Sequence, residues 1–370
     1  MASTSDPLQI DGSVLEGGGQ LLRIAVALSA LLSRPIVIHN IRANRKPPGL
    51  KSQHAAGIRL VAEICAAHLD GCEVGSSTVT FAPQHLPELH RPYLADPGTA
   101  GSIALLLQVS LPCLVLGASS ASPEPTVLAL KGGTNAAQAP QVDYTTHVFL
   151  PFLHAQFRLA PTLQVVKRGY YPKGGGEVRV EVPAHPGPLP AATLLARGDV
   201  TTVYGRAYVA GLPKKLAESM RTAASAVLLK SGIAQKQIKI DVVRDKPEES
   251  IGAGSGIVLW AETEGGCVLG GSALGKKGLE PTQVGREAAS ELLSNLEHGG
   301  CVDEYMQDQM VIFLALAQGT SKVQTGPLSL HTKTAIWVVE QMTSAKFTVE
   351  DTETGASIQC EGIGYVPSAR

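Results

Sequence analysis

Charge of one sign is the first thing this chain lacks. Over 370 residues, 31 Lys and Arg stand against 32 Asp and Glu. A balance this close excludes a protein that coats nucleic acid through a global positive field, so any nucleic-acid contact has to be local. Paired cysteines are also missing. Cys65, Cys72, Cys113, Cys267, Cys301 and Cys360 are scattered, with no CxxC pair and no His/Cys cluster at zinc spacing. That argues against a disulfide framework and for free buried thiols in a reducing compartment. No apolar run fills a bilayer. The most membrane-like stretch, 102–118, is uncharged but holds Gln108, Ser110 and Pro112. It predicts a buried helix that stops before Pro112, followed by a core strand. The opening MASTSDPLQI has neither the basic region nor the apolar core of a secretory leader, so a protein outside the membrane is expected.

What is present suits a globular chain. Hydrophobic residues make up 44% of it, enough for a sizeable core, and at about 150 residues per domain its length predicts two to three domains.

In chain order, a short strand at Leu8–Ile10 leads into EGGGQ (Glu16 to Gln20), and LLRIAVALSALL follows as an apolar helix that ends before Pro35 and the strand PIVIHNI. A glycine turn ahead of a helix can cradle a phosphate on backbone N–H groups, or it can simply be a tight strand-to-helix turn. Next comes IRANRKPPGLKSQH (Ile41 to His54), a Pro/Gly loop carrying Arg42, Arg45, Lys46 and Lys51. Four cations on one loop make a local anion site or a solvated basic loop. With Arg23 just behind the glycine turn, a polyphosphate or RNA-phosphate site is favoured, because Arg forks match phosphate oxygens.

The helix-and-strand pattern then recurs loosely. AGIRLVAEICAAHLDGCEV and STVTFAP give a helix and a strand, and 98–117 with TVLALKGGTNA gives another helix, strands and a second glycine turn. DEYMQDQMVIFLALAQG and TKTAIWVVEQMT with KFTVE give a further repeat. This self-similarity in hydropathy predicts a repeated α/β unit with helices layered on one face of each sheet. A proline-rich linker, PAHPGPLP (Pro183 to Pro190), opens a composition break. The segment behind it has its own helices, KKLAESMRTAASAVLLKSG and REAASELLSNL, and its own strands, IKIDVV and GIVLWAET. It reads as a separate α/β domain inserted into the first, with a second boundary near His298. From His298 to Ile336 the chain runs through a Gly-Gly turn and an apolar helix, then reaches a histidine, His331, beside two threonines.

Six segments in order resemble those of the RNA 3'-terminal phosphate cyclase family: DGSVLEGGGQLLR, IRANRKPPGLKSQH, LKGGTNAAQAPQVDY, RGYYPKGGGEV, HGGCVDEYMQDQ and GPLSLHTKTAI. The resemblance covers nearly the whole chain. It implies an α/β (α+β) fold, with a large catalytic domain over 1–188 and 299–370 built of three repeated units, each two helices on a four-stranded sheet. A smaller inserted domain of thioredoxin-like topology would occupy 189–298. It also implies the reaction: with ATP, an RNA 3'-phosphate end becomes a 2',3'-cyclic phosphate, releasing AMP and pyrophosphate through an adenylated enzyme histidine. RNA 3'-phosphate ends, ATP and a divalent cation, Mg2+ or Mn2+, are the implied partners. The implied location is the nucleus in a eukaryote and the cytoplasm otherwise.

Carried onto this sequence, the resemblance makes His331 the nucleophile, with His54 next in line. Gln108, Pro140, Tyr305, Asp308 and Gln309 match the adenylate-binding set, and on a helix Tyr305, Asp308 and Gln309 share one face. Asp308 either orients the imidazole or contacts the nucleotide. Arg23, Arg42, Arg45 and Gln53 match the polar cleft near the phosphates. Glu16 is the candidate for a metal contact, since magnesium sites use one or two carboxylates plus phosphate oxygens and water; its other reading is a residue before a glycine turn. Arg168 and Lys173 are candidate RNA contacts. Retention of His331 argues against a cyclase-like branch that lacks the histidine and serves ribosome assembly. Enolpyruvyl transferases resemble the cyclases in architecture, and fold alone does not separate the two.

Overall fold

The computed structural model describes residues 6–118, 124–185 and 187–367. The first five residues of the N-terminal stretch and Pro186 of the expected linker lie outside them. The first unit runs β1 (Leu8–Asp11), α1 (Gly19–Leu32), β2 (Ile36–His39), α2 (Ser52–Ile64), β3 (His68–Asp70) and β4 (Val79–Ala82). The second runs β5 (Tyr93–Ala95), α3 (Ile103–Val115) and β6 (Thr126–Gly132). It continues through α4 (Val142–Tyr144), a π-helical turn (Thr145–Phe149) and α5 (Leu150–Phe157), then β7 (Thr162–Gly169) and β8 (Gly176–Val182). After β9 (Thr193–Leu194) come β10 (Val200–Ala210), α6 (Lys215–Lys230), β11 (Ile238–Asp245), β12 (Ser250–Ile251), β13 (Gly254–Thr263), β14 (Val268–Leu274) and α7 (Pro281–Glu297). The chain closes with α8 (Glu304–Leu316), β15 (Gln318–Thr325), α9 (Leu330–Met342), β16 (Lys346–Asp351) and β17 (Ala356–Ile363).

Among the described residues four small mixed sheets result, and three share one pattern. In each, a parallel pair (β1 with β2, β5 with β6, β9 with β15) is extended by two antiparallel strands, giving the orders β1-β2-β4-β3, β5-β6-β8-β7 and β9-β15-β17-β16. The fourth, β11-β10-β13-β14, is a parallel pair joined through α6 and followed by an antiparallel hairpin. That segment enters between β9 and α8, inside the third repeat.

Three expectations change here. Residues 189–194 do not belong to the insert. β9 pairs with β15, the Gln318 N–H donates to the Leu189 carbonyl at 2.8 Å, and the Lys322 N–H donates to that of Ala192 at 2.8 Å. The boundary therefore lies beyond β9, and it escaped the sequence because a two-residue strand has no period. The second sheet also gains β12 from the insert on the outer edge of β7, giving five strands where four were expected. In addition, α3 does not stop before Pro112 but runs to Val115, through residues expected in a core strand. Proline forfeits one backbone bond, and here it sits in the last turn, where Cys113, Leu114 and Val115 are buried at 0–1% exposure.

α1 explains the layering. Its apolar residues run all round the helix, and Leu21 through Leu31, apart from half-buried Arg23, are buried, because it packs against α2, α3 and α9 together. Phe313 of α8 reaches Phe149 and Phe157 of the second unit at 6.4 and 5.7 Å between ring centroids. The helices thus meet in the middle. Among the described residues no helix is long and apolar enough to cross a membrane.

The insert meets the second unit around a charge cluster, where Arg168 lies 3.9 Å from Asp245 of the insert and Arg206 of the insert lies 3.7 Å from Asp143. Arg168 on β7 grips Asp143 on α4 through two bonds, at 2.5 and 2.7 Å. Asp245, at the end of β11, takes the Tyr170 hydroxyl at 3.0 Å and Arg206 at 3.1 Å. His147 stacks on Trp260 of β13 at 4.0 Å. Burial pushes the Asp143 carboxyl up, but Arg168 and Arg206 outweigh it and hold it below the usual carboxylate range. Arg168 is therefore spent inside the protein and does not face RNA, whereas Lys173 of the same motif is exposed. Arg168→Met should leave Asp143 buried without its main partner and cost about 3–5 kcal/mol in urea unfolding; a loss below about 1 kcal/mol would contradict this reading.

Candidate active site

Helix N-termini converge on one cleft of about 570 Å³. Gly18 and Gly19 open α1, Lys51, Gln53 and His54 surround the start of α2, and Ser329 and His331 sit at the start of α9; all line it. Each helix N-terminus carries roughly half a positive charge and unpaired N–H groups, so the wall formed by these three is suited to an anion. Arg23, Arg42, Arg45 and Lys51 line the same space.

The glycine turn is shaped by a carboxylate. A Cβ at Gly18 would lie 2.1–2.5 Å from the Glu16 carboxyl group, so only glycine lets that side chain fold back over the turn. One Glu16 oxygen pairs with Arg45; among the described residues the other is buried with no hydrogen-bond partner. The Glu16 N–H donates at 3.2 Å to the Thr334 hydroxyl on α9, tying together turns 318 residues apart. Among the described residues no group of three or more His, Cys, Asp and Glu could cage a metal. An orphaned carboxylate oxygen beside an anion site does fit a cation that takes its remaining ligands from phosphate and water.

Arg42 lines the cleft and is anchored from within its loop. Its guanidinium Nη1 donates to the Pro47 and Gly49 carbonyls at 2.7 and 2.9 Å, and the residue is buried. It props the basic loop that carries Arg45. Arg23 donates to the side chain of Gln20 and lies close to the charges of Asp308 and Glu16. The Gln53 Oε1 accepts the Ser102 N–H at 2.6 Å, fixing α2 to the start of α3. His54 accepts the Lys51 N–H on Nδ1 at 3.2 Å, which leaves its proton on Nε2, close to Gly19. Burial, followed by the charges of Arg23, Arg42 and Lys51, lowers its pKa to about 3, so the ring is a neutral N–H donor at the cleft wall.

Opposite stands α8. Tyr305, Asp308 and Gln309 face the cleft, as their spacing requires. Gln309 is held at both ends: its Oε1 accepts from Gln108 Nε2 at 2.9 Å and its own Nε2 donates to the Tyr305 carbonyl. Pro140 lines the cleft from the loop after β6. Burial pushes the Asp308 carboxyl up to about 6, with Arg23 and then His331 pulling it back. Among the described residues no hydrogen bond joins Asp308 to His331.

The position of His331 is set by a residue the sequence reading passed over. Gln307 is buried, accepts the Ser329 N–H at 3.3 Å and the Thr332 hydroxyl at 3.0 Å, and donates to the Pro327 carbonyl at 3.2 Å. Ser329 caps α9 through Thr332, and His331 projects exposed from that clamped first turn. His331 and the ten residues matched to the nucleotide, phosphate and metal contacts all line this cleft, as does His54, whereas the candidate RNA contacts Arg168 and Lys173 are not among its lining residues. Among those missed are Gln307, which lies behind the wall, and Glu291 and Asn295, which reach it from α7 of the insert. Nothing local marked either Gln307, one of several polar residues in the first turns of α8, or Glu291.

The family model described as RNA 3'-terminal phosphate cyclase matches residues 14–349 of this chain. A probable RNA 3'-terminal phosphate cyclase of Dictyostelium discoideum is 41% identical, over 97% of this chain and 84% of its own. The RNA 3'-terminal phosphate cyclase of Pyrobaculum neutrophilum is 40% identical over 97% and 99%, and that of Drosophila melanogaster 39% over 97% and 97%. A solved structure, the enolpyruvyl transferase NikO of Streptomyces tendae, aligns with 97% of this chain and 49% of its own at 13% identity. Its TM-score of 0.38 is too low to carry any conclusion.

Gln307→Leu should unfold about 1–3 kcal/mol more easily in urea, because it strands the Ser329 N–H and Thr332 hydroxyl away from water; unchanged stability would mean that the α9 turn holds itself.

Proposed function

The chain belongs to the RNA 3'-terminal phosphate cyclase family, and from that premise we propose that it converts the 3'-terminal phosphate of RNA to a 2',3'-cyclic phosphodiester with ATP, through AMP carried covalently on His331. The observation that carries this reading is the shared cleft. A histidine exposed at a helix N-terminus faces a carboxylate, a set of arginines and an aromatic ring in a space sized for a nucleotide.

A phosphate monoester resists attack by its neighbouring 2'-OH because the oxygen that must depart is a poor leaving group. Adenylation supplies a better one. The neutral His331 imidazole forms an N–P bond to the α-phosphorus of ATP while the bond to the departing pyrophosphate breaks. The imidazole gains positive charge, which Asp308 is placed to offset, and the phosphoryl oxygens gain negative charge beside the N-terminus of α9 and Arg23. Asp308 thus acts on the imidazole through charge. An oxygen of the RNA 3'-phosphate then takes the AMP, breaking the N–P bond and freeing His331. Finally the 2'-OH closes on the terminal phosphorus and expels AMP.

Arg23 and Arg45 would hold phosphate oxygens, with Arg42 keeping their loop in place, while His54 offers a hydrogen bond without charge. Gln53 would act in the same wall by fixing α2. Tyr305 and Pro140 would contact the base or ribose, and Gln108 and Gln309 brace α8 behind them. A Mg2+ or Mn2+ ion would be held by Glu16 and, when bound, would neutralise phosphate charge. The RNA end is gripped locally, consistent with the balanced net charge. The repeated strand order supports the three-unit architecture of the resemblance, and the βαβ-then-hairpin insert supports its thioredoxin-like part.

Incubation with α-labelled ATP and a divalent cation should leave acid-labile, alkali-stable label on the protein. His331→Ala should abolish it with stability within about 0.5 kcal/mol of the parent, the side chain being exposed. Label that persists in this variant moves the nucleophile elsewhere, and absence of label from the folded parent favours a non-catalytic, RNA-binding role. Because Asp308 acts as a carboxylate, the rate of labelling should rise as pH passes through about 6, and Asp308→Asn should lower the rate and flatten that limb; an unchanged profile removes Asp308 from the step.

A further inference from the structure

The cleft is electrically lopsided. Along α8, Asp308 lies near Arg23 and His331, while one turn earlier, about 5 Å along the axis, Tyr305 sits beside Glu304 and Glu291. A bound nucleoside triphosphate would therefore place its phosphates at Arg23 and His331 and extend its base toward Tyr305 and Glu291. Glu291 comes from the inserted unit, on α7, and lines this end of the cleft.

Its carboxyl group is half committed. Oε1 accepts the Ser272 N–H of β14 at 3.2 Å, which fixes the direction of the group. Among the described residues its other oxygen has no hydrogen-bond partner, and the side chain has no cationic partner. Burial and the nearby Asp303 and Glu304 push its pKa up to about 7. The free oxygen of a carboxyl group anchored on its other side faces the cleft as an acceptor, ready for a donor that a ligand brings. A phosphate has no donor to give, but the exocyclic amine of a base does.

Resting on the adenylation reading above, we propose that Glu291 is the base-recognition residue of this site, accepting a hydrogen bond from the 6-amino group of adenine and so selecting a 6-aminopurine triphosphate over a 6-oxopurine. Above about pH 7, where Glu291 is ionised, the oxo analogue sets oxygen lone pairs against the carboxylate. A site built to hydrogen-bond one group discriminates strongly against a ligand that lacks it. The inserted unit thereby acquires a part in the chemistry: it closes the base end of a cleft whose phosphate end belongs to the repeats.

The test compares α-labelled ATP and α-labelled ITP, which differ in the group at position 6 and in the proton that the oxo form carries on N1, as donors of label to the full-length protein. In Glu291→Gln the carbonyl oxygen can keep the Ser272 N–H, which turns an amide donor toward the base. The ATP-to-ITP ratio of labelling efficiencies should fall at least tenfold, with use of ITP rising in absolute terms. Glu291→Ala, which offers neither donor nor acceptor, should lower the use of ATP about tenfold without improving ITP. A folded Gln variant that labels with the parent's ATP-to-ITP ratio overturns the assignment to Glu291 and leaves the adenylation reading intact. Failure of the parent to take label from either nucleotide overturns that reading, and this inference with it.

Discussion

A single buried carboxylate holds the site in register. Asp303 is 0% exposed and receives three donors from three parts of the chain: the Tyr144 hydroxyl of the second repeat at 2.7 Å, the Gly270 N–H of the insert at 2.7 Å, and the Met306 N–H of its own helix at 2.9 Å. A buried acceptor of this kind is tolerated only when it is fully satisfied. Meeting that demand fixes where α8 begins and how it is rotated, and with it the direction of Tyr305, Asp308 and Gln309. Gly270 has to be glycine for the approach, because a Cβ there would lie 2.6 Å from the Tyr144 ring. The insert is therefore part of the frame of the site.

The same economy of buried polar groups runs through the rest of the cleft. Gln307 satisfies the turn before α9, Thr334 joins α9 to the Glu16 turn, and Gln108 pairs with Gln309 between α3 and α8. Each link joins segments far apart in sequence, so the nucleophile, the anion-binding turns and the aromatic wall are held relative to one another by short hydrogen bonds. Helix dipoles then point at the space between them. The cleft combines a rigid geometry with a strong local positive field at one end, in a protein whose overall charge is close to zero.

Much of this was legible in the residues. The glycine turn, the basic loop and the histidine after a Gly/Pro approach were readable because their chemistry is local: glycine permits close approach, arginines cluster, and i, i+3, i+4 spacing puts Tyr305, Asp308 and Gln309 on one face. The three helix-and-strand repeats showed in hydropathy because each unit buries one side of its elements. Other features were not readable. Arg42 and Arg168 look like surface phosphate binders in sequence, yet both are buried, one on loop carbonyls and the other on Asp143. A cation's partner is set by folding, not by its neighbours in the chain. Strand β9 was missed because two residues carry no periodicity, and the end of α3 because burial of its last turn outweighs the one bond that Pro112 forfeits.

The sequence by itself determined the types of group available and their local presentation: which turns can approach an anion, which helices are amphipathic, which histidine follows a capped turn. Only the tertiary structure decided which of them share a space. It brought Glu16 to Thr334 across 318 residues, made His54 neutral by burying it and setting cations around it, and set Glu291 from the insert beside Tyr305. The physical reason is range. Propensity and spacing act over a few residues, whereas burial, desolvation and the field of neighbouring charges depend on distances that exist only once the repeats have packed.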